Sequence, residues 1–559
     1  MNPERSNVPL SYKTLACSHN LHMQIREEKE IYTFLLFMAD PTPLLCQPNL
    51  PSYHTQEQPP SPTKKHHPSL GSTVELCIGE FNWSQFLQSV LVSVAWLFDA
   101  QQTFITVFTD ALPSWHCTRA DNACAAAAAA LCDLPRESWA WDGPAHASTV
   151  SEWGLECANT VISGLPASSF FVGCLVGGFG LASLADSSLG RKNMLFFSCL
   201  LMGITSLLAT LSSNIWIYSA LKFLCGFARA TISTSALVLA TEIVGKRRRG
   251  QISAIGFFCF TIGFLSLPAM AYLNRSSSWR NLYLWTSITT IIYCILVKVF
   301  VMESPRWLLV RGRKEEAVAT LKCITSVTQS NLDLAINNMS LKEETWNVDL
   351  FSALKILLQN KWSLRRLVSI MAIGIGIGLV YYGLPLGLQN LSFNLYLSVT
   401  FNALSELPSA LIVFFFIDMF NRRTAILLFT ILSGVFSLMS IIEVKPWNNL
   451  QIGFELISFF SACSAFNVYL IYTTELFPTC VRNSALSMAR LAVVFGGAVS
   501  PMLVSAGREN KFLCYGVFGL VIGFSGGFGI FLPETKGRAL CDTIDEEENK
   551  EKMAGNMLA

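Results

Sequence analysis

Charged residues are scarce in this chain, and their scarcity excludes an ordinary water-soluble protein. Asp, Glu, Lys and Arg make up 14% of the sequence, whereas soluble globular proteins carry roughly a quarter. Hydrophobic residues make up 52%, and the mean hydropathy is +0.44. The net charge of +2 lacks the strong basic excess typical of nucleic-acid binders. These values predict a membrane protein without a nucleic-acid partner.

Motifs for metal binding and for nucleotide hydrolysis are also missing. The 17 cysteines are scattered and form no CxxC pairs at zinc spacing. No GxxxxGKS/T phosphate loop occurs, which argues against ATP as the energy source. No nucleophile–base pair or metal cluster stands out, so we expect no enzyme activity, cofactor or metal ion.

Long apolar runs dominate the rest of the chain. A membrane-spanning helix needs about 20 apolar residues, because the hydrocarbon core is about 30 Å thick. Runs that meet this need, or are shorter but still adequate, are 84–109, 161–184, 194–211, 215–240, 251–273, 282–302, 367–389, 391–417, 424–442, 450–471, 484–506 and 512–532. Backbone amides in lipid must be satisfied internally, so these runs are helices. The predicted fold class is an all-α membrane protein with twelve transmembrane helices.

Basic residues fix the predicted orientation. With a cytoplasmic N-terminus, the cytoplasmic loops hold most of the basic clusters, namely 191–192, 246–249, 306–366, 422–423, 482 and 536–538. The opposite loops hold few, as the positive-inside rule requires. Residues 1–75, rich in Pro, His and charge, are predicted to form a disordered cytoplasmic tail.

Three pairs of features recur at an offset of 231 to 233 residues (534 − 303, 418 − 186 and 475 − 242). The pairs are Asp186 with Asp418, Glu242 with Glu475, and Glu303 with Glu534. Each pair falls at the cytoplasmic ends of corresponding helices. The chain therefore divides into two six-helix halves, 76–302 and 367–533, with a linker 303–366 and a tail 534–559. A parallel six-plus-six repeat is the architecture of the major facilitator fold.

The repeated acids and bases are candidates for conformational gating. They can pair with one another and with helix ends to hold the cytoplasmic side shut in one state. The candidates are Asp186, Arg191, Glu242, Arg249, Asp418, Arg422, Glu475 and Arg482. The alternative is ordinary positive-inside anchoring, which accounts for the arginines but not for the acids.

The outer loop 110–158 contains four cysteines in an oxidising position. Cys117, Cys124, Cys132 and Cys157 predict two disulfides with three possible connectivities; the alternative is free thiols.

Six ionisable residues lie inside the predicted helices, where charge is costly and usually functional. Asp99, Arg229 and Glu406 lie near the helix middles, and they either face a cavity or form a structural ion pair. The other three, Lys222, Glu455 and Arg490, lie nearer helix ends, where the alternative is snorkelling to the interface. A carboxyl among aromatic rings suits a quaternary ammonium, and an arginine suits a carboxylate.

Seven stretches together resemble one known family. They are LADSSLGRK (184–192), TEIVGKRRRG (241–250), ESPRWLLVRGRKEEA (303–317), YYGLPL (381–386), NALSELPSALIVFF (402–415), TTELFPTCVRN (473–483) and PETKGR (533–538). The chain is similar over about 75–540 to the organic cation/carnitine transporter family, and over 79–104 to its plant branch.

The resemblance implies a secondary transporter that moves organic cations or carnitine-like zwitterions by alternating access. The bilayer is the plasma or vacuolar membrane, and protons are a possible coupling partner, by symport. Candidate substrate-binding residues are Asp99, Arg229, Tyr381, Glu406 and Arg490, with Trp96 and Phe98 as weaker aromatic candidates. Tyr381 enters this set because it matches a family cavity residue.

The sequence leaves other functions open. Val494 stands where animal cation transporters of the family carry an Asp, which argues against a preference for cations alone. A sugar porter of the same superfamily is one alternative, although YYGLPL stands where sugar porters carry paired glutamines. A membrane receptor that binds without transport is an alternative of another class.

Overall fold

The computed structural model describes residues 78–79, 81–118, 131–181, 189–325, 355, 357–391, 393–416, 419–442, 449–508, 510–537, 544 and 546–548. The predicted N-terminal tail lies outside these residues. So do Cys124, Asp186 and Asp418, which were predicted to act in disulfide formation or gating.

Twelve long helices make up the described part of the chain, as the sequence predicts. In the N-terminal half they are α1 (Trp83–Thr109), α2 (Thr160–Leu181), α3 (Arg191–Ala209), α4 (Ile215–Ile243), α5 (Arg249–Leu273) and α6 (Trp279–Phe300). In the C-terminal half they are α7 (Lys361–Gly387), α8 (Leu395–Phe416), α9 (Arg422–Met439), α10 (Asn449–Leu476), α11 (Thr479–Ala506) and α12 (Phe512–Phe531). Eleven of these helices are long and apolar enough to span a bilayer. The twelfth, α8, has 22 residues, of which Glu406 alone is charged.

Glycine allows the closest helix contacts within each half. A β-carbon on Gly226 of α4 would lie 1.9 Å from the carbonyl oxygen of Phe170 in α2. A β-carbon on Gly378 of α7 would lie 1.9 Å from the carbonyl oxygen of Val493 in α11. No larger residue fits at either point without moving backbone. Between the halves, α2 packs on α11 and α5 packs on α8.

Short elements cover both ends of the bundle. At one end, β1 (Trp115–Cys117) pairs antiparallel with β2 (Trp139–Trp141), and a disulfide joins Cys132 to Cys157. Cys117 is also disulfide-bonded. At the other end, the helices Pro305–Val310 and Lys314–Ile324 follow α6. The second is tied to the start of α1, because Asn82 Nδ2 donates to the Ile324 carbonyl oxygen over 2.7 Å.

Candidate functional site between the two halves

Glu406 lies where α8 meets both α7 and α5. The Tyr381 hydroxyl donates to its Oε1 over 2.6 Å, and the Thr261 hydroxyl approaches Oε2 at 3.4 Å. Tyr381 is 4% exposed, whereas Glu406 keeps partial exposure. Because Thr261 belongs to the N-terminal half, this carboxyl group bridges the two halves of the molecule.

Aromatic rings surround Tyr381 beside this carboxyl group. Phe459 and Phe466 of α10 stack on it nearly parallel, with centroids 5.9 and 5.1 Å away. Phe104 of α1 and Tyr382 pack edge-to-face with Tyr381, and their ring centroids lie 6.5 and 5.1 Å from its centroid. A carboxylate among π-faces is the arrangement that attracts an organic cation.

The weaker aromatic candidates lie elsewhere. Trp96 packs against Phe257 at a centroid distance of 5.4 Å, and Phe98 packs against Tyr293 at 5.1 Å. Both belong to the core of the N-terminal half. Phe104, Phe459 and Phe466 were not predicted. The two α10 rings are seven residues apart and so share one helix face, but in a chain with 39 phenylalanines that spacing carries little signal.

Asp99 and Arg229 pair with each other inside the N-terminal half. Arg229 Nε contacts Asp99 Oδ1, and its Nη2 lies 3.5 Å from Oδ2. The Ser233 hydroxyl also donates to Oδ2, over 2.7 Å. Asp99 is 1% exposed and Arg229 is 9% exposed. The arrangement is an interhelical ion pair between α1 and α4, which was the alternative to a cavity-facing role.

Snorkelling is wrong for two of the three residues nearer helix ends. Lys222 is 1% exposed, with its Nζ 4.6 Å from the centroid of the Phe170 ring. Glu455 is also 1% exposed and faces Asn402 of α8. Arg490 of α11 keeps partial exposure and makes no ion pair within the described residues. Its guanidinium interacts electrostatically with Tyr382.

Glu303 and Glu534 bind equivalent helix ends, at the end of the bundle that was predicted to be cytoplasmic. The backbone N–H groups of Arg191 and Lys192, at the start of α3, donate to Glu303 Oε1 over 3.0 and 3.1 Å. At the start of α9, those of 422 and 423 donate to Glu534 over 2.9 and 3.1 Å. A carboxylate at a helix N-terminus satisfies free N–H groups and complements the helix dipole.

The predicted gating residues form matching networks in the two halves. Arg191 Nε lies 3.8 Å from Glu242, and Arg422 Nε lies 3.3 Å from Glu475. The remaining two arginines bind different carbonyl oxygens. Arg249 Nε donates to the Thr241 carbonyl oxygen over 3.1 Å, and Arg482 Nε donates to that of Phe477 over 3.3 Å. All four contacts lie within one half of the molecule, so each network is a unit that can move as a body.

Comparisons with known proteins agree with this architecture. The family model described as "Sugar (and other) transporter" matches residues 113–546. Organic cation/carnitine transporter 3 of Arabidopsis thaliana is 57% identical, over 92% of this chain and 98% of its own length. Organic cation/carnitine transporter 2 of the same plant is 53% identical over the same shares. The xylose transporter XylE from E. coli is 17% identical, with a TM-score of 0.57 over 82% of this chain and 99% of its own; it shares the fold.

Proposed function

The chain belongs to the organic cation/carnitine transporter family of the major facilitator superfamily and is a secondary transporter, and we propose that its substrates are small organic cations and carnitine-like zwitterions. The observation that carries this proposal is the Glu406 carboxyl group beside the Tyr381 ring and its stacked neighbours. The relatives' names point to the same class of substrate.

A quaternary ammonium suits this site because it carries charge without hydrogen-bond donors. It gains from the carboxylate by Coulomb attraction and from the rings by cation–π attraction, which is worth about 2 kcal/mol or more when desolvated. The site includes Thr261 of α5 and Glu406 of α8, so it has groups from both halves. A substrate held there can be released to either side as the halves rock.

The carboxylate of a zwitterion needs a cationic partner, and Arg490 supports that role better than Arg229. Arg229 is neutralised by Asp99. Arg490 has no such partner among the residues that the structure describes, and it interacts with Tyr382, whose ring packs on that of Tyr381. In this proposal Arg490 holds the carboxylate, and the Asp99–Arg229 pair supports the shape of the N-terminal half.

The cytoplasmic networks are proposed to set the conformational cycle. Arg191–Glu242 and Arg422–Glu475 keep each half rigid at its cytoplasmic end, and Asp186 and Asp418 complete the predicted set. For a plant-type family member, the plasma membrane and the vacuolar membrane are the two membranes proposed.

The experiment is uptake of radiolabelled tetraethylammonium and carnitine by vesicles that contain the purified protein. Saturable uptake of both, with mutual competition, is the expected result, and glucose should neither enter nor compete. Saturable binding without uptake would favour the receptor, and glucose uptake would favour a sugar porter. Either of these results would contradict the proposal.

A further inference from the structure

A second buried carboxyl group lies close to the candidate site and takes no part in it. Glu455 of α10 is 1% exposed, and Asn402 of α8 is fully buried. Asn402 Nδ2 donates to Glu455 Oε1 over 3.0 Å. Glu455 Oε2 and Asn402 Oδ1 have no hydrogen-bond partner in the described part of the chain. Each residue of this contact therefore buries an oxygen atom that can accept a hydrogen bond but has no donor.

No charged partner offsets this carboxyl group among the described residues. The titratable groups that face it are Cys463 on its own helix and Tyr515 of α12, with Glu406 further along α8. The other packed helices bring uncharged groups to α10: α9 through Ser433 at Ser458, α7 through Tyr381 at Phe459, and α11 through the Ala489 carbonyl oxygen at Tyr469. An ionised carboxylate is costly in such a place, whereas the protonated acid is neutral and brings a donor of its own.

One turn of α8 and one turn of α10 separate the Asn402–Glu455 contact from the substrate site. Asn402 and Glu406 are four residues apart on α8, and Glu455 and Phe459 are four residues apart on α10, so each pair shares a helix face. Phe459 stacks on Tyr381, which donates to Glu406. Both carboxyl groups interact electrostatically with Cys463. Glu406 therefore lies one helix turn from the Asn402–Glu455 contact, on a helix that packs against α10.

We propose that Glu455 is a proton-binding site whose proton is exchanged for the organic cation, an inference that rests on the proposed function. The proton adds to a carboxylate oxygen of Glu455, and no other bond forms or breaks. A cation bound at Glu406 repels that proton across a short, low-dielectric distance, so each disfavours the other. Mutual exclusion of two cations gives antiport: the proton leaves on one side and the organic cation is carried the opposite way.

The test uses sodium-free vesicles with the membrane potential clamped and the interior acidic. Tetraethylammonium should accumulate, up to about tenfold per pH unit at one proton per cation, while an internal pH dye reports loss of protons. Glu455→Gln imitates the protonated acid. It should keep exchange of labelled for unlabelled tetraethylammonium but lose accumulation driven by the gradient. The exposed Glu315→Gln is the matched control and should behave as the wild type.

Three results would overturn the inference: a gradient response retained in Glu455→Gln, accumulation driven by an acidic exterior, or a sodium gradient that replaces the pH gradient. Should Glu455→Gln not fold, Asn402→Ala replaces it. Loss of the amide should shift the pH at which tetraethylammonium accumulation falls to half. If that pH is the same as in the wild type, the result counts against Glu455.

A separate readout keeps this inference distinct from the proposed function. If the wild type does not exchange tetraethylammonium, the proposed function fails, and infrared difference spectra still test Glu455. The carbonyl band of a protonated carboxylic acid should be present in the wild type and in Glu315→Gln and lost in Glu455→Gln. The same band in all three proteins would exclude Glu455 as the proton site.

Discussion

The Tyr381 hydroxyl donates to Glu406 Oε1 over 2.6 Å, and this bond joins α7 to α8 at the point where α5 of the other half also approaches. The bond orients the carboxylate, while the Tyr381 ring packs between Phe459 and Phe466. One side chain thus fixes the position of the charge and ties it to the group of aromatic rings beside it. Positioning of this kind lowers the conformational entropy that the site itself must lose when a cation binds.

Tyr381→Phe isolates the hydroxyl, because it keeps the ring and its stacking. A hydrogen bond to a charged group contributes about 1.5–3 kcal/mol, so we expect the KM for tetraethylammonium to rise roughly tenfold or more. Tyr272→Phe, at a half-exposed position near the outer end of α5, is the control and should leave KM unchanged. Uptake kinetics at matched protein amounts measure both variants. An unaltered KM in Tyr381→Phe would remove the hydroxyl from the site.

Arg490→Gln separates the two classes of substrate. Carnitine carries a carboxylate and tetraethylammonium does not, so only the KM for carnitine should rise, by about tenfold for each 1.4 kcal/mol of binding lost. The ratio of the two KM values is the measurement, and it corrects for changes in protein amount. Equal losses for both substrates would show that Arg490 supports the fold and does not hold the carboxylate.

Asp99→Asn is expected to act on stability first. Removing one partner of a buried ion pair leaves the other charge uncompensated, at a cost of about 3–5 kcal/mol, so the Tm in detergent should fall clearly. Replacing both partners, as in Asp99→Asn with Arg229→Met, removes the unpaired charge and should restore much of the Tm. If the double variant were no more stable than the single one, the ion pair would not be the reason for the loss.

Glu303 should give the stability of the protein a measurable pH dependence. Burial raises the pKa of Glu303 above its ordinary 4.5, and hydrogen bonds from the N–H groups of 304, 192 and 191 offset this only in part. The folded state therefore binds this proton more tightly than the unfolded state does. The contribution of Glu303 to the free energy of unfolding is full below pH 4.5 and is lost as the pH rises through the raised pKa.

Thermal unfolding between about pH 4 and 7 tests this sign, because that range brackets the ordinary pKa of glutamate. Glu303→Gln does not titrate, so the difference in Tm between the wild type and the variant should move in favour of the variant as the pH rises. Glu534→Gln, at the equivalent place in the other half, is the matched comparison. A difference that is constant with pH, or that moves the other way, would contradict the account of Glu303.

The sequence was sufficient to predict the twelve helices, because length and hydropathy alone decide them in lipid. The internal offset of 231 to 233 residues also predicted that equivalent acids lie at equivalent helix ends. The structure adds that Glu303 and Glu534 bind backbone N–H groups. The sequence repeat identified both residues as equivalent. Which groups they bind depends on how the chain after α6 and α12 packs on the starts of α3 and α9.

Pairing between distant residues could not be predicted in the same way. Asp99 and Arg229 are 130 residues apart, and their contact depends on the packing of α1 against α4. Glu455 lies near a helix end, where sequence position favours snorkelling, yet it faces Asn402 because that face of α10 packs on α8. Hydropathy locates a charge along a helix, whereas only the packing of neighbouring helices shows which way it points.

Saturable tetraethylammonium uptake by the wild type and by Glu406→Gln, in vesicles with matched protein content, tests the central claim most directly. The substitution keeps the size and hydrogen-bonding capacity of the side chain and removes its charge. We expect uptake by the wild type and a loss of at least about tenfold in kcat/KM in Glu406→Gln, which corresponds to 1.4 kcal/mol. Unchanged kinetics in Glu406→Gln would contradict the claim that this carboxylate binds the cation.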